Sequence, residues 1–73
     1  MEQKKRSQCN QVLRYIEEHG SITPLEAFED LGIMRLSARI KDLRDLGYLI
    51  RTTTEHYFHD GVYKHYARYS LKK

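Results

Sequence analysis

Thr23-Pro24-Leu25-Glu26-Ala27-Phe28-Glu29-Asp30-Leu31-Gly32-Ile33-Met34-Arg35-Leu36-Ser37-Ala38-Arg39-Ile40-Lys41-Asp42-Leu43-Arg44-Asp45-Leu46-Gly47 opens on a helix start signal and closes on a glycine stop. The Thr23 hydroxyl serves as N-cap, Pro24 takes the first helical position, and the Glu26 carboxylate can reach back to the cap. This helix runs through Ala27, Phe28 and Leu31, with Phe28 expected on its inner face, until Gly32 stops it after about eight residues. A tight turn at Gly32-Ile33 follows. A third helix, from Met34 or Arg35 to Leu46, keeps Leu36, Ile40 and Leu43 on one face and ends at Gly47.

Upstream, Cys9, Val12, Leu13 and Ile16 fall at i, i+3, i+4 and i+7, which predicts an amphipathic helix over Ser7 to His19 closed by Gly20. Residues 1–6 read as a basic, flexible tail. Ser21-Ile22 is a short extended link with room for one short strand near Ile22. Downstream, β-branched and aromatic residues fill Tyr48 to Phe58 and Val62 to Leu71, and Asp60-Gly61 between them is a hairpin signal. With Asp60-Gly61 as the loop, Phe58 faces Tyr63, Thr52 faces Tyr69 and Ile50 faces Leu71. The opposite face then gathers Arg51, Thr53, Glu55 and Tyr57 with Lys64, Tyr66, Arg68 and Ser70, so alternation turns the basic residues away from the core. A longer loop around His59 would shift this register.

The chain has 73 residues, enough for one domain spanning 1–73. Such a chain buries only about 60% of its unfolded surface, which disfavours an enzyme with a deep pocket. A single cysteine, and no apolar stretch after the N-terminal charges, predict a reduced, cytoplasmic protein. No apolar run approaches the length of a membrane span. Lys and Arg total 13 against 10 Asp and Glu, a net charge of +3 that is unevenly placed. Residues 34–73 hold nine basic and four acidic side chains, residues 1–33 four basic and six acidic. The surplus lies with the third helix and hairpin.

Three helices with a glycine turn between the second and third, then a basic hairpin, predict an α+β winged helix-turn-helix. In that arrangement the third helix can enter the DNA major groove while the hairpin, the wing, reaches an adjacent backbone. The run Leu31-Gly32-Ile33-Met34-Arg35-Leu36-Ser37-Ala38-Arg39-Ile40, within a likeness covering roughly residues 8 to 56, resembles the small helix-turn-helix proteins encoded by bacteriophages and prophages. The resemblance implies binding of double-stranded DNA by a phage-type regulatory or accessory protein. In the commoner bacterial regulator pattern a Ser or Thr caps the recognition helix soon after the turn. Here Met34-Arg35-Leu36 stands at that place.

Helix geometry ranks the contacts independently. With Leu36, Ile40 and Leu43 inward, Met34, Ala38, Lys41, Asp42 and Asp45 point outward and Arg35, Ser37, Arg39 and Arg44 flank the core stripe. Arg35, Ser37 and Lys41 are candidates for base edges, Ala38 for close backbone approach, and Arg39 and Arg44 for phosphates or Asp partners. Wing candidates are Arg51, Lys64, Tyr66 and Arg68, with Tyr57 between them. The alternative is a salt-bridged surface helix, with Lys41 to Asp45 and Arg39 to Asp42 paired, beside an ordinary solvated hairpin in which Glu55 pairs with Tyr66. Lys4, Lys5, Arg6, Lys72 and Lys73 can add weak attraction to phosphates.

Cys9, His19, His56, His59 and His65 lack the spacing of a metal site, and the sequence calls for no cofactor. No phosphate loop or spaced nucleophile, His and Asp set is present, so no catalytic residue is predicted. The aromatic residues favour packing over base stacking. A rival reading from another class is a protein-interaction module using acidic Glu26, Glu29 and Asp30. A monomer this small makes a limited interface, which leaves room for a homodimer or cooperative tandem binding.

Overall fold

The computed structural model describes the backbone of residues 2–72 and the side chains of residues 6–72. Helices α1 (Glu2–His19), α2 (Pro24–Leu31) and α3 (Leu36–Asp45) precede an antiparallel hairpin of β1 (Ile50–His59) and β2 (Val62–Leu71). The first helix begins five residues before the expected Ser7, so residues 2–6 form its opening turns rather than a tail. Glu, Gln, Lys and Arg are good helix formers, and they extend a helix without any apolar period to announce it. The attraction to phosphates expected of Lys4, Lys5 and Lys73 concerns side chains outside the described residues.

At the start of α2 the expected capping box is complete. The Glu26 N–H donates to Thr23 Oγ1 at 3.2 Å and the Thr23 N–H to Glu26 Oε1 at 3.0 Å. At its end Gly32 adopts φ 68°, its N–H bonds Phe28 O at 3.0 Å, and the Ile33 N–H reaches Ala27 O at 3.0 Å. That left-handed closure reverses the chain within four residues and delivers Ile33, 1% exposed, into the core. Asp60 and Gly61 take φ 51° and 73°, the paired positive values of a two-residue turn whose twist matches the strands. The register is therefore the expected one, from Ile50 opposite Leu71 to His59 opposite Val62. The short strand near Ile22 is a single antiparallel bridge, with Ile22 and Tyr69 exchanging N–H to C=O bonds of 2.9 Å each.

Five buried isoleucines, Ile16, Ile22, Ile33, Ile40 and Ile50, come from α1, the link, the turn, α3 and β1 respectively. With Val12 of α1, Ala27 of α2 and Leu36 and Leu43 of α3, they form one cluster that ties these segments together. Phe28, expected inside, is instead 55% exposed. The Pro24 start sets the rotation of α2 so that Ala27 and Leu31, at i and i+4, form the inner stripe, and the small Ala27 lets the helices approach.

The Tyr15 hydroxyl of α1 donates to Asp30 Oδ2 of α2 at 2.6 Å, and this bond, with the nearby Glu26 and Asp30 charges, pushes the Tyr15 pKa up to about 12. A raised phenol pKa stabilises the fold below its ordinary value of 10.0, and that contribution is lost as pH climbs toward about 12. Urea unfolding of the parent and Tyr15→Phe across this interval is expected to show the two stabilities converging with rising pH. A constant difference would remove the bond from the stability account.

Candidate nucleic-acid interface

The outer face of α3 is set by what its inner face buries. Leu36, Ile40 and Leu43 are each at most 2% exposed, which turns Ser37, Lys41 and Asp45 to solvent. Met34, at the entrance to the helix, is 82% exposed. The N-cap is Arg35, whose side chain makes no capping bond and stays exposed. Whereas α2 seals its own first turn with the Thr23 and Glu26 side chains, the first turn of α3 has no side-chain cap among the described residues, at the positive end of the helix dipole. Lys41 Nζ lies 3.8 Å from Asp45 Oδ2, with side chains 80% and 66% exposed, a pairing that adds little in open solvent.

Four candidate contacts are held within the protein. Arg39 Nε lies 3.1 Å from Asp42 Oδ2 and its Nη1 donates to Gln8 Oε1 of α1 at 3.1 Å. Asp42, expected to point outward, is thereby half-buried against α1, because pairing draws both side chains to that flank. On the opposite flank Arg44 Nη2 donates to Ile50 O at 2.7 Å and to Thr52 Oγ1 at 2.8 Å, fastening the end of α3 to the base of β1.

Arg68, expected to face away from the body, is drawn back to it. Its Nε lies 3.0 Å from Glu55 Oε1, its Nη1 donates to Ser21 Oγ at 2.8 Å, and Glu26 Oε1 is 4.0 Å away. Tyr66 is half-buried, bonds the Glu55 carboxylate, and lies under the Arg68 guanidinium at 6.0 Å. The Tyr66 bond and the Arg68 charge hold the Glu55 carboxyl below the usual range, and Glu55 in turn raises the Arg68 guanidinium. Alternation predicts which side of a strand a residue takes, but that side here meets the start of α2 and not open water.

Among the described residues, Arg35, Arg51 and Lys64 are exposed and carry no ion pair. Within the hairpin the available positive charge is thus Arg51 and Lys64, less than the composition implied. Phe58 and Tyr63, 66% and 76% exposed and packed edge-on at 5.7 Å, lie near the tip. Neither they nor Met34 stood among the sequence candidates. The signal for them is large apolar surface left in water, which depends on tertiary burial.

A family model described as a winged helix-turn-helix domain matches residues 7–73. The chain belongs to this family. No curated protein and no solved structure matches it. Membership supports DNA as a partner of this winged helix-turn-helix domain, whose fold is typically non-enzymatic. Among the described residues, no helix is long and apolar enough to cross a membrane.

Arg44→Ala separates holding the fold from contacting a ligand. Loss of the two bonds to β1 is expected to lower unfolding free energy by about 1 to 2 kcal/mol, whereas Lys64→Ala changes it by less than about 0.5 kcal/mol. Urea denaturation of the two variants checks this. Equal effects would show that Arg44 does not anchor the wing.

Proposed function

We propose that the protein binds double-stranded DNA with sequence preference and acts by occupancy, as a phage- or prophage-type transcriptional regulator or a replication or recombination accessory factor. In this reading α3 enters the major groove with Arg35, Ser37 and Lys41 toward base edges, and Ala38 permits close approach. Arg51 and Lys64 meet phosphates of the adjacent backbone. Arg39, Arg44, Tyr66 and Arg68 act behind that surface, holding α3 and the hairpin in position. The phage association rests on the resemblance of the Leu31 to Ile40 segment.

The observation that carries the reading is the state of the α3 entrance. An exposed arginine, with no ion pair among the described residues, stands at an uncapped helix start, where phosphate oxygens are favoured by both charge and N–H donors. The rival acidic surface on α2 has less to offer a partner. Glu26 completes the capping box and Asp30 accepts from Tyr15, so two of its three carboxylates already have intramolecular bonds.

Fluorescence anisotropy with a random-sequence duplex at two salt concentrations tests the proposal. Neutralising about four to six phosphates gives binding that weakens by a few orders of magnitude or less from low to moderate salt. Selection from a randomised pool then reports the preferred site. Absence of binding at low salt overturns the proposal.

A further inference from the structure

The hairpin leaves one backbone edge open. A two-residue loop makes His59 and Val62 a hydrogen-bonded pair, and the alternation of an antiparallel ladder then turns the N–H and C=O groups of Ile50, Thr52, Thr54, His56 and Phe58 away from β2. Two observations agree with this phase. Ile50 O is met from outside by Arg44, and Tyr69, opposite Thr52, uses its outward groups on Ile22. Arg44 thus shields the base of the β1 edge, and Ile22 shields part of the β2 edge. Among the described residues nothing meets the outward backbone groups of Thr54, His56 and Phe58.

Edges of this kind are ordinarily blocked by proline, lysine, a bulge or an unmatched charge. Here β1 holds no Pro and no Lys, its ten pairs run without a bulge, and Glu55 is matched by Arg68. Arg51, exposed and without an ion pair among the described residues, stands near the base of the strand, away from the open groups of Thr54, His56 and Phe58. We infer that the β1 edge pairs with the same edge of a second copy, forming a four-stranded antiparallel sheet across a two-fold axis at Thr54.

The register follows from charge and accessibility. With the axis at Thr54, Thr54 faces its equivalent, Thr52 faces His56, Thr53 faces Glu55 and Arg51 faces Tyr57, so no like charges are opposed. Arg51 lies diagonal to Glu55 of the second copy, within reach of a long side chain. An axis at Thr52 sets Ile50, whose carbonyl Arg44 already holds, in the pair next to the axis, and one at His56 sets Thr52 against the turn. At Thr54 the ladder is carried by Thr52, Thr54 and His56, and Ile50 stands only at its end. The Thr54 axis also brings Phe58, 66% exposed in one copy, opposite Ile50 of the second on the same face of the sheet. Such an axis, perpendicular to the sheet, turns equivalent surfaces of both copies to the same side.

Sedimentation velocity of the full chain without DNA, from low to high micromolar concentration, tests this independently of the DNA reading. The expected result is concentration-dependent dimer formation, weakened by about tenfold or more in Thr54→Pro and in Thr54→Lys. Proline there removes an outward N–H and leaves the intrachain ladder intact, and lysine opposes two charges at the axis. Circular dichroism of both variants verifies that they fold. Thr54→Cys is expected to cross-link on oxidation, since directly opposed residues lie at disulfide distance, against a low background from Cys9, which is 5% exposed. A monomer at every concentration overturns the inference, as does a dimer that both Thr54 substitutions leave unchanged.

Discussion

The double variant Arg35→Glu with Lys41→Glu is expected to lose about two to three orders of magnitude in affinity for duplex DNA, with its helical signal and urea midpoint close to the parent's. Both side chains are exposed; among the described residues Arg35 has no ion pair, and Lys41 meets only the loose approach of Asp45. Little folding free energy is therefore at stake. In the complex each reversal takes away a cation that favours phosphate or base oxygens and adds a carboxylate that phosphates repel. The slope of log affinity against log salt should fall by about one for each phosphate no longer neutralised. Anisotropy titrations at several salt concentrations measure both quantities. If affinity stays within about threefold of the parent while the protein remains folded, α3 is not the surface that meets DNA.

Ile40→Ala is expected to act in the opposite way, on the fold first. Ile40 is 1% exposed at the middle of α3, within the buried cluster that joins α1, α2, α3 and β1. Truncating such a side chain costs about 2 to 5 kcal/mol, through reduced burial and the cavity left behind. A chain of this length has a total of roughly 4 to 11 kcal/mol, so much of the native margin disappears. Thermal unfolding followed by circular dichroism should show a midpoint lowered by roughly 10 to 25 °C. Ile40→Val, which removes one methylene, should cost about 0.5 to 1.5 kcal/mol. A midpoint within about 5 °C of the parent's for the alanine variant would show that the core re-forms around the smaller side chain.

Local rules carried much of the architecture. The Thr23-Pro24-Leu25-Glu26 start, the Gly32 stop and the Asp60-Gly61 turn each act through bonds or dihedral angles within a few residues, so their outcomes are written into short segments. The hairpin register followed from the loop alone. Where several side chains compete for the same side, the rules were weaker. Phe28 lost the inner face of α2 to Ala27, and the good helix formers before Ser7 joined α1 without an apolar stripe to reveal them.

The surface proposed to meet DNA was legible only in part. Arg35, Ser37 and Lys41 follow from the phase of Leu36, Ile40 and Leu43, and that phase is a property of the sequence. The pairing of Arg39 with Asp42, three positions on, was also open to the sequence, whereas its bond to Gln8 and the fate of Arg44 and Arg68 were not, because Gln8, Thr52 and Ser21 stand 31, 8 and 47 positions away. A count of basic residues treats all these arginines alike.

Sequence alone settled the order of the elements, the turn that joins α2 to α3, and the side of α3 that faces water, since each depends on neighbours in the chain. Tertiary structure decided which cations are left for a ligand. A guanidinium is claimed by whatever acceptor folding brings within about 3 Å, and that distance exists only after the chain has closed.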